Sequence, residues 1–305
     1  MTLKSLWEIV RDAGEAWIDD RAPRIGAALA FYTALSLSPI LVIALAVAGL
    51  VYGEEAARGE LTVQIRALVG NALAETVEGV LANSGKPGTS IPALAVGLVT
   101  LFLGATGVFN ELQEGINDVW KVRPKPGRPV WTFLRSRFLS FAMVLSIGFL
   151  LVVSMGLSTA VEVVGRYATS LLPGVSALIQ VVNFTLTFLI EAFLFGMIFK
   201  VLPDAKLLWR DVATGALLTA MLFTLGKYLI GLYLTVGSVG SAFGAAGSVV
   251  ALLAWIYYST QILLFGAEVT KVVAEKAGRR IAPSHGAEAV PGAATPIVNR
   301  NADPD

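Results

Sequence analysis

The sequence predicts an all-α polytopic membrane protein with six transmembrane helices, an N-terminal interfacial helix and a small external helical cap. Three observations predict it. Of the 305 residues, 55% are hydrophobic and 15% charged, with a mean hydropathy of +0.72, whereas soluble domains average about 45–50% apolar and about 25% charged. Several apolar runs reach the roughly 18–20 residues that cross about 30 Å of hydrocarbon as helix. Finally, Lys and Arg are concentrated in alternate connections between those runs.

The elements follow in chain order. In LKSLWEIVRDAGEAWIDD, residues Leu3, Leu6, Trp7, Val10, Gly14 and Trp17 share one helical stripe. Residues 1–26 therefore read as an amphipathic helix lying on the cytoplasmic leaflet, its tryptophans at headgroup depth. No cleavable signal is expected in them, because no short apolar core ends in small residues. The six spans are Ala27–Tyr52, Ile91–Glu111, Phe138–Val161, Ala177–Phe199, Val212–Val236 and Val249–Val269. Each is a near-continuous apolar run rather than an alternating one, which favours helix over barrel strand. Between the first two, 54–83 places Leu61, Ile65, Leu68 and Ala72 in helical register, an external helical insertion. The membrane domain thus covers 27–270. The tail 271–305, rich in Ala, Pro and Gly from Ala282 onward, is expected to be mostly disordered.

Orientation comes from counting cations. Lys4, Arg11, Arg21, Arg24, Lys121, Arg123, Lys125, Arg128, Arg135, Arg137, Lys200, Lys206, Arg210, Lys271, Lys276, Arg279, Arg280 and Arg300 fall on one side, 18 in all, against Arg58, Arg66, Lys86 and Arg166, 4 in all, on the other. The positive-inside rule then puts both termini in the cytoplasm of a bacterial inner membrane. There is no internal repeat to suggest an inverted-repeat transporter.

Few residues can carry chemistry. With no Cys and one His, His285 in the tail, there is no cysteine-ligated metal and no His-based triad. No GxxxxGK[ST] motif binds a nucleotide phosphate, so no cofactor is expected. In GATGVFNELQEGINDVWK, an arc of Gly104, Gly107, Glu111, Glu114, Asp118 and Lys121 faces away from Ala105, Val108, Phe109, Leu112, Ile116, Val119 and Trp120, with Asn110 and Asn117 at the edge. The small residues would let a neighbouring helix approach closely. The acidic side is either a polar entrance or the exit of a helix whose carboxylates pair with the next loop.

Glu191, in FLIEAFLFG, and Lys227, in FTLGKYLIG, lie deep within spans. An ion there costs about 2.5–3.5 kcal/mol on insertion scales, so each needs a partner. Their depths differ by roughly 9 Å at 1.5 Å per residue, a gap a lysine side chain bridges if the helices are neighbours. A Glu191–Lys227 pair is expected, as a helix tie or beside a transport pathway. Glu268 reads as interfacial. Pro39 predicts a kink in the first span, a static bend or a hinge, with Ser36 and Ser38 able to satisfy freed backbone groups. The basic residues Arg123, Lys125, Arg128, Arg135 and Arg137 suit anionic lipid headgroups, at about 1 kcal/mol each, rather than nucleic acid.

AALAFYTALSLSPIL, FNELQEGINDVWKVRPKPG, LPDAKLLWRDVATGALLTAMLF and LLAWIYYSTQILLFGAE, in this order and spacing, resemble the YihY/BrkB family of bacterial inner-membrane proteins from about Arg24 to Lys276. The resemblance implies a six-helix membrane protein without a cofactor. Some members carry a ribonuclease label, which the residues here do not support. Others resemble proteins linked to serum resistance or to export of lipid-A precursors, which implies lipid or amphiphile transport by analogy. The expected function is therefore a non-enzymatic transporter or flippase of an anionic or amphiphilic envelope molecule, with membrane lipids as partners. Two alternatives stand beside it: a non-transporting scaffold for envelope machinery, and a metal-dependent hydrolase using Glu111, Glu114 and Asp118.

Overall fold

Long apolar runs with few helix breakers leave a chain one economical way to satisfy its backbone, the α-helix. The computed structural model follows that rule; it describes residues 3–36, 59, 91–125, 176–236, 247–279, 281–284 and 286–291. Helix α1 is Leu3–Asp19 and α2 begins at residue 22, described as far as residue 36. Next come α3, Ile91–Val119; strand β1, Val122–Pro124; α4, Ser176–Val201; and β2, Ala205–Lys206. They are followed by α5, Trp209–Val236; α6, Gly247–Lys276; β3, Ala282–Pro283; and β4, Ala287–Ala289.

Among the described residues three helices are long and apolar enough to cross a bilayer: Ala177–Val201, Trp209–Leu229 and Val250–Lys276. They match the fourth, fifth and sixth expected spans. The second expected span lies within α3. Of the first, the helix is described only to residue 36, so Ser38 and Pro39 lie outside the described residues. Phe138–Val161 lies outside them as well, and so does nearly all of the expected external insertion.

Helix ends have identifiable causes. The N–H of Leu208 donates to Asp211 Oδ2 at 2.9 Å, a side chain reaching back over the first turn of α5. At the end of α6, Gly278 adopts φ 67°; its N–H bonds to the Glu275 carbonyl and that of Arg279 to the Ala274 carbonyl, the paired bonds of a Schellman motif. Two other corners use non-glycine residues at positive φ, Arg21 (55°) between α1 and α2 and Lys121 (51°) after α3. The left-handed turn at Arg21 separates α1 from α2, which starts at residue 22, ahead of Ala27.

The chain forms two compact units, Met1–Asp20 with Gln113–Leu222 and Leu263–Asp305, and Arg21–Leu112 with Phe223–Ile262. In the first, Ile9 and Ala13 of α1 bury against Val269 and Val272 of α6, flanked by Leu218, Phe265 and Val273. Lys276 Nζ meets Asp12 at 2.9 Å and Glu8 at 3.7 Å on the same side of α1. Of the expected stripe, Trp7 is 69% exposed and Leu6 and Val10 are exposed too, as is Ile18 beside it, whereas Trp17 is half-buried. α5 packs on α6 through two matched Gly–Thr steps. A Cβ on Gly215 would strike Thr270, and one on Gly266 would strike Thr219. The two hydroxyls are already engaged, Thr219 donating to the Gly215 carbonyl at 2.7 Å and Thr270 to the Gly266 carbonyl at 2.8 Å.

Part of the tail is described, 271–279, 281–284 and 286–291, and there it makes backbone pairings. β3 pairs antiparallel with β2, and β4 with β1. The N–H of Ser284 donates to the Asp204 carbonyl at 2.8 Å and that of Val290 to the Lys121 carbonyl at 2.9 Å. Remote backbone partners supply the order that an Ala-Pro-Gly composition cannot.

In the second unit, Gly104 and Gly107 of α3 face Ser36 and Tyr32 of α2, with no room for a Cβ at either glycine. That is the close approach those small residues predict. Gly26 likewise admits Gln261 of α6, whose Nε2 donates to the Ala22 carbonyl at 3.3 Å. Gly226 admits the Tyr258 ring.

Candidate functional site

The charged residues of the first unit gather where α1, α3 and α6 end and α5 begins. The last turns of α3 bury Ile116, Val119 and Trp120, the greasy arc of the opening pattern. Asn117, at the edge of the polar arc, is buried as well. Its Nδ2 donates to Asp204 Oδ2 at 3.1 Å, and its Oδ1 accepts from the Asp204 N–H at 2.8 Å. One amide thus fastens the end of α3 to the turn between α4 and α5.

Two further ties converge there. Arg279, just past the α6 cap, donates to the buried Asp211 at the start of α5. Arg123 pairs with Glu288 of β4 at 2.8 Å, across the β1–β4 pairing. Lys200 Nζ donates to the Leu207 carbonyl at 2.8 Å and stands 5.7 Å from the Trp209 ring, on which Phe193 stacks.

Among the described charged residues Glu268 is deeply buried, with 1% of its side chain exposed, followed by Asp211 at 5% and Asp20 at 10%. Lys121 donates to Asp20 Oδ1, while Lys271 Nζ lies 3.8 Å from Glu268 Oε2. Asp118 belongs to the same neighbourhood. Partial removal from water pushes its carboxyl above the ordinary aspartate range, and the negative charge of Asp20 adds to that, while Lys121 pulls the other way. On the α1 flank the balance is reversed. Hydrogen bonds from Lys276, then from Arg11, hold Asp12 below its ordinary value.

The expected site residues divide as follows. Asp118 joins this charged junction. Glu114 is exposed one turn earlier and Glu111 half-buried one turn before that. Among the described residues no three His, Cys, Asp or Glu side chains come together to hold a metal ion. Glu191 is half-buried on α4, in the first unit. Lys227 is half-buried on α5, in the second unit, with Nζ 5.4 Å from the Phe223 ring centre. Of the basic loop, Arg123 is engaged by Glu288 and Lys125 is exposed; Arg128, Arg135 and Arg137 lie outside the described residues. Sequence reasoning missed Asp20, Asp204, Asp211 and the burial of Glu268. The available signal was an acid one turn beyond Leu264 and Phe265, on the last span.

Comparison with known proteins places this arrangement among membrane proteins. The family model described as Virulence factor BrkB matches residues 13–290. A UPF0761 membrane protein of Pseudomonas paraeruginosa is 30% identical over 270 residues, 85% of this chain and 61% of the relative. One from Rhodospirillum centenum is 27% identical, covering 89% and 59%, and one from Vibrio campbellii is 30% identical, covering 81% and 76%. The chain thus spans about three fifths of the length of the first two. No solved structure matches.

Proposed function

The chain belongs to the BrkB family of membrane proteins, and from that premise we propose that it is a transporter or flippase for an anionic or amphiphilic envelope molecule such as a lipid. The observation that carries this reading is the position of Glu191 and Lys227, each half-buried on a helix long and apolar enough to cross a bilayer. Around them the same helices turn Leu189, Phe193, Leu225, Tyr228 and Leu229 outward, the surface expected of a lipid-facing helix. Ions in such helices face a partner or a polar path, because hydrocarbon offers them nothing.

In this reading six helices span a bacterial inner membrane with both termini in the cytoplasm, and the outward apolar arc of α1 lies at the headgroup level. Lys227 receives the negative headgroup, Glu191 supplies a further charge on α4, and a bend expected at Pro39 permits gating. Lys125, Arg128, Arg135 and Arg137 hold anionic headgroups at the membrane surface. The substrate moves without bonds in it being made or broken.

Charge-removing substitutions test the assignment. Glu191→Gln and Lys227→Met should each abolish transport in reconstituted vesicles while leaving membrane abundance unchanged. Normal transport by both variants would remove these residues from the pathway.

A further inference from the structure

Where α4 ends and α5 begins, within the first unit, an aromatic pair and three cations come together. The Trp209 ring lies flat against Phe193, centroids 5.4 Å apart and planes 9° from parallel. It also reaches the α4 backbone at Gly196, where an added Cβ would stand 3.2 Å from its Cζ3. Lys200 Nζ sits 5.7 Å from the same ring centre and donates to the Leu207 carbonyl at 2.8 Å. An ammonium has three donors, and among the described residues that carbonyl engages one of them. Lys206 and Arg210, on either side of this tie, are exposed.

The acids of this stretch do not cancel that charge. Only Asp204 and Asp211 lie between Glu191 and Glu268 in the sequence. Asp204 is held by Asn117. Asp211 is buried, and it accepts from the Leu208 N–H and from Arg279. What faces outward is positive.

Beside the cations the surface turns apolar. Leu208 and Trp209 are exposed next to Arg210, and Leu217 and Met221 are exposed further along α5. Their spacing puts Arg210, Leu217 and Met221 on one face of the helix. From Arg210 to Met221 α5 rises roughly 16 Å at 1.5 Å per residue, about half of the roughly 30 Å thickness of bilayer hydrocarbon. Water is a poor solvent for that strip, and hydrocarbon a poor one for the cations at its end. A molecule with an anionic head and an acyl tail suits both.

We propose that this face binds one anionic phospholipid. Lys200, Lys206 and Arg210 hold its phosphate, an acyl chain lies along Leu217 and Met221, and Trp209 marks the boundary between them, where tryptophan is favoured. A zwitterionic lipid fits less well, because its own ammonium meets three cations. The lipid is a resident ligand rather than cargo, since the site uses neither Glu191 nor Lys227. It requires α4 and α5 to lie in the bilayer and does not require transport.

Trp209 itself reports occupancy. The full chain is reconstituted into phosphatidylcholine vesicles carrying increasing fractions of a lipid brominated on its acyl chains, which quenches tryptophan fluorescence on contact. The same titration on Trp209→Phe isolates the signal of Trp209 from those of the other tryptophans. Half of that signal should be lost at a several-fold lower fraction of brominated phosphatidylglycerol than of brominated phosphatidylcholine. One basic residue beside anionic lipid changes binding by about fivefold. Lys206→Gln and Arg210→Gln should therefore each raise the phosphatidylglycerol midpoint by about that factor, and together bring the two lipids close to level. Both side chains are exposed, so neither substitution disturbs the packing. Equal quenching by the two lipids in the unaltered chain overturns the proposal, as does a preference that survives the double substitution. So does a Trp209 that neither lipid quenches, the result if a second copy of the chain or another protein covers this face. Occupancy rather than crossing is read, so an empty site leaves the transport reading untouched, and failed transport leaves the site standing.

Discussion

Asn117 shows how much a single side chain fastens in this molecule. Its amide is both donor and acceptor to Asp204, 87 positions along the chain. Asn117→Ala would strand a backbone N–H and a carboxylate in a part-buried place, which costs about 1–3 kcal/mol. Asn117→Asp should do worse by setting two carboxylates against each other. Both outcomes are read as a lower melting temperature in detergent, with the Asp variant the less stable; a melting temperature unchanged by Asn117→Ala would contradict the assignment. The helical arc put Asn117 at a polar edge, which is where it lies, but no local signal names a partner so remote. Glu268 was expected at the interface as an acid near the end of a span. Its side chain is 1% exposed, and Lys271 on its own helix and Asp20 and Lys121 from the corners after α1 and α3 act on it. The corner after α1 is the less legible of these. That corner turns on Arg21 rather than a glycine, so nothing in the sequence marks it.

Among the elements, the apolar runs were the most legible part, since the length of hydrocarbon-compatible sequence fixes the length of helix. Ala177–Phe199 became Ser176–Val201, and Val249–Val269 became Gly247–Lys276, extended by a polar last turn and closed at Gly278. The tail strands were not legible, because two or three residues without alternation acquire order only from partners in β1 and β2. The α5–α6 contact rests on backbones brought together at glycine. Gly266→Val should therefore force the helices apart at a cost of about 1–3 kcal/mol, the usual range for overpacking, whereas Gly14→Ala, with open space around it, should be tolerated. Comparative melting of the two variants checks this; equal stabilities would show that the glycine contact is not tight. The docking of α1 depends on pH through Asp12, whose carboxyl is held below its ordinary value of 3.8 mainly by Lys276. A lowered carboxyl stabilises the docked helix fully above that ordinary value and loses its contribution as pH falls through the lower, docked value. Protease cleavage within α1 should accelerate only in that acidic window, and Lys276→Met should remove the dependence. Cleavage with the same pH profile in both proteins would rule the ion pair out.

At the scale of the whole molecule, the membrane character follows from composition and is supported by the family and, among the described residues, by three helices of spanning length. Gly104 and Gly107 met the close neighbour they predicted, Glu191 and Lys227 fall within helices long and apolar enough to cross a bilayer, and charged helix ends gather in one unit. What the sequence could not reveal is which molecule an ion in such a helix serves, because recognition depends on how several helices enclose it. Lipid movement in vesicles addresses that claim most directly. Purified protein reconstituted into liposomes with labelled anionic and zwitterionic lipids should speed the crossing of an anionic lipid between leaflets, and Lys227→Met should return the rate to that of empty vesicles. Crossing rates equal to those of protein-free vesicles for every lipid tested would contradict the account.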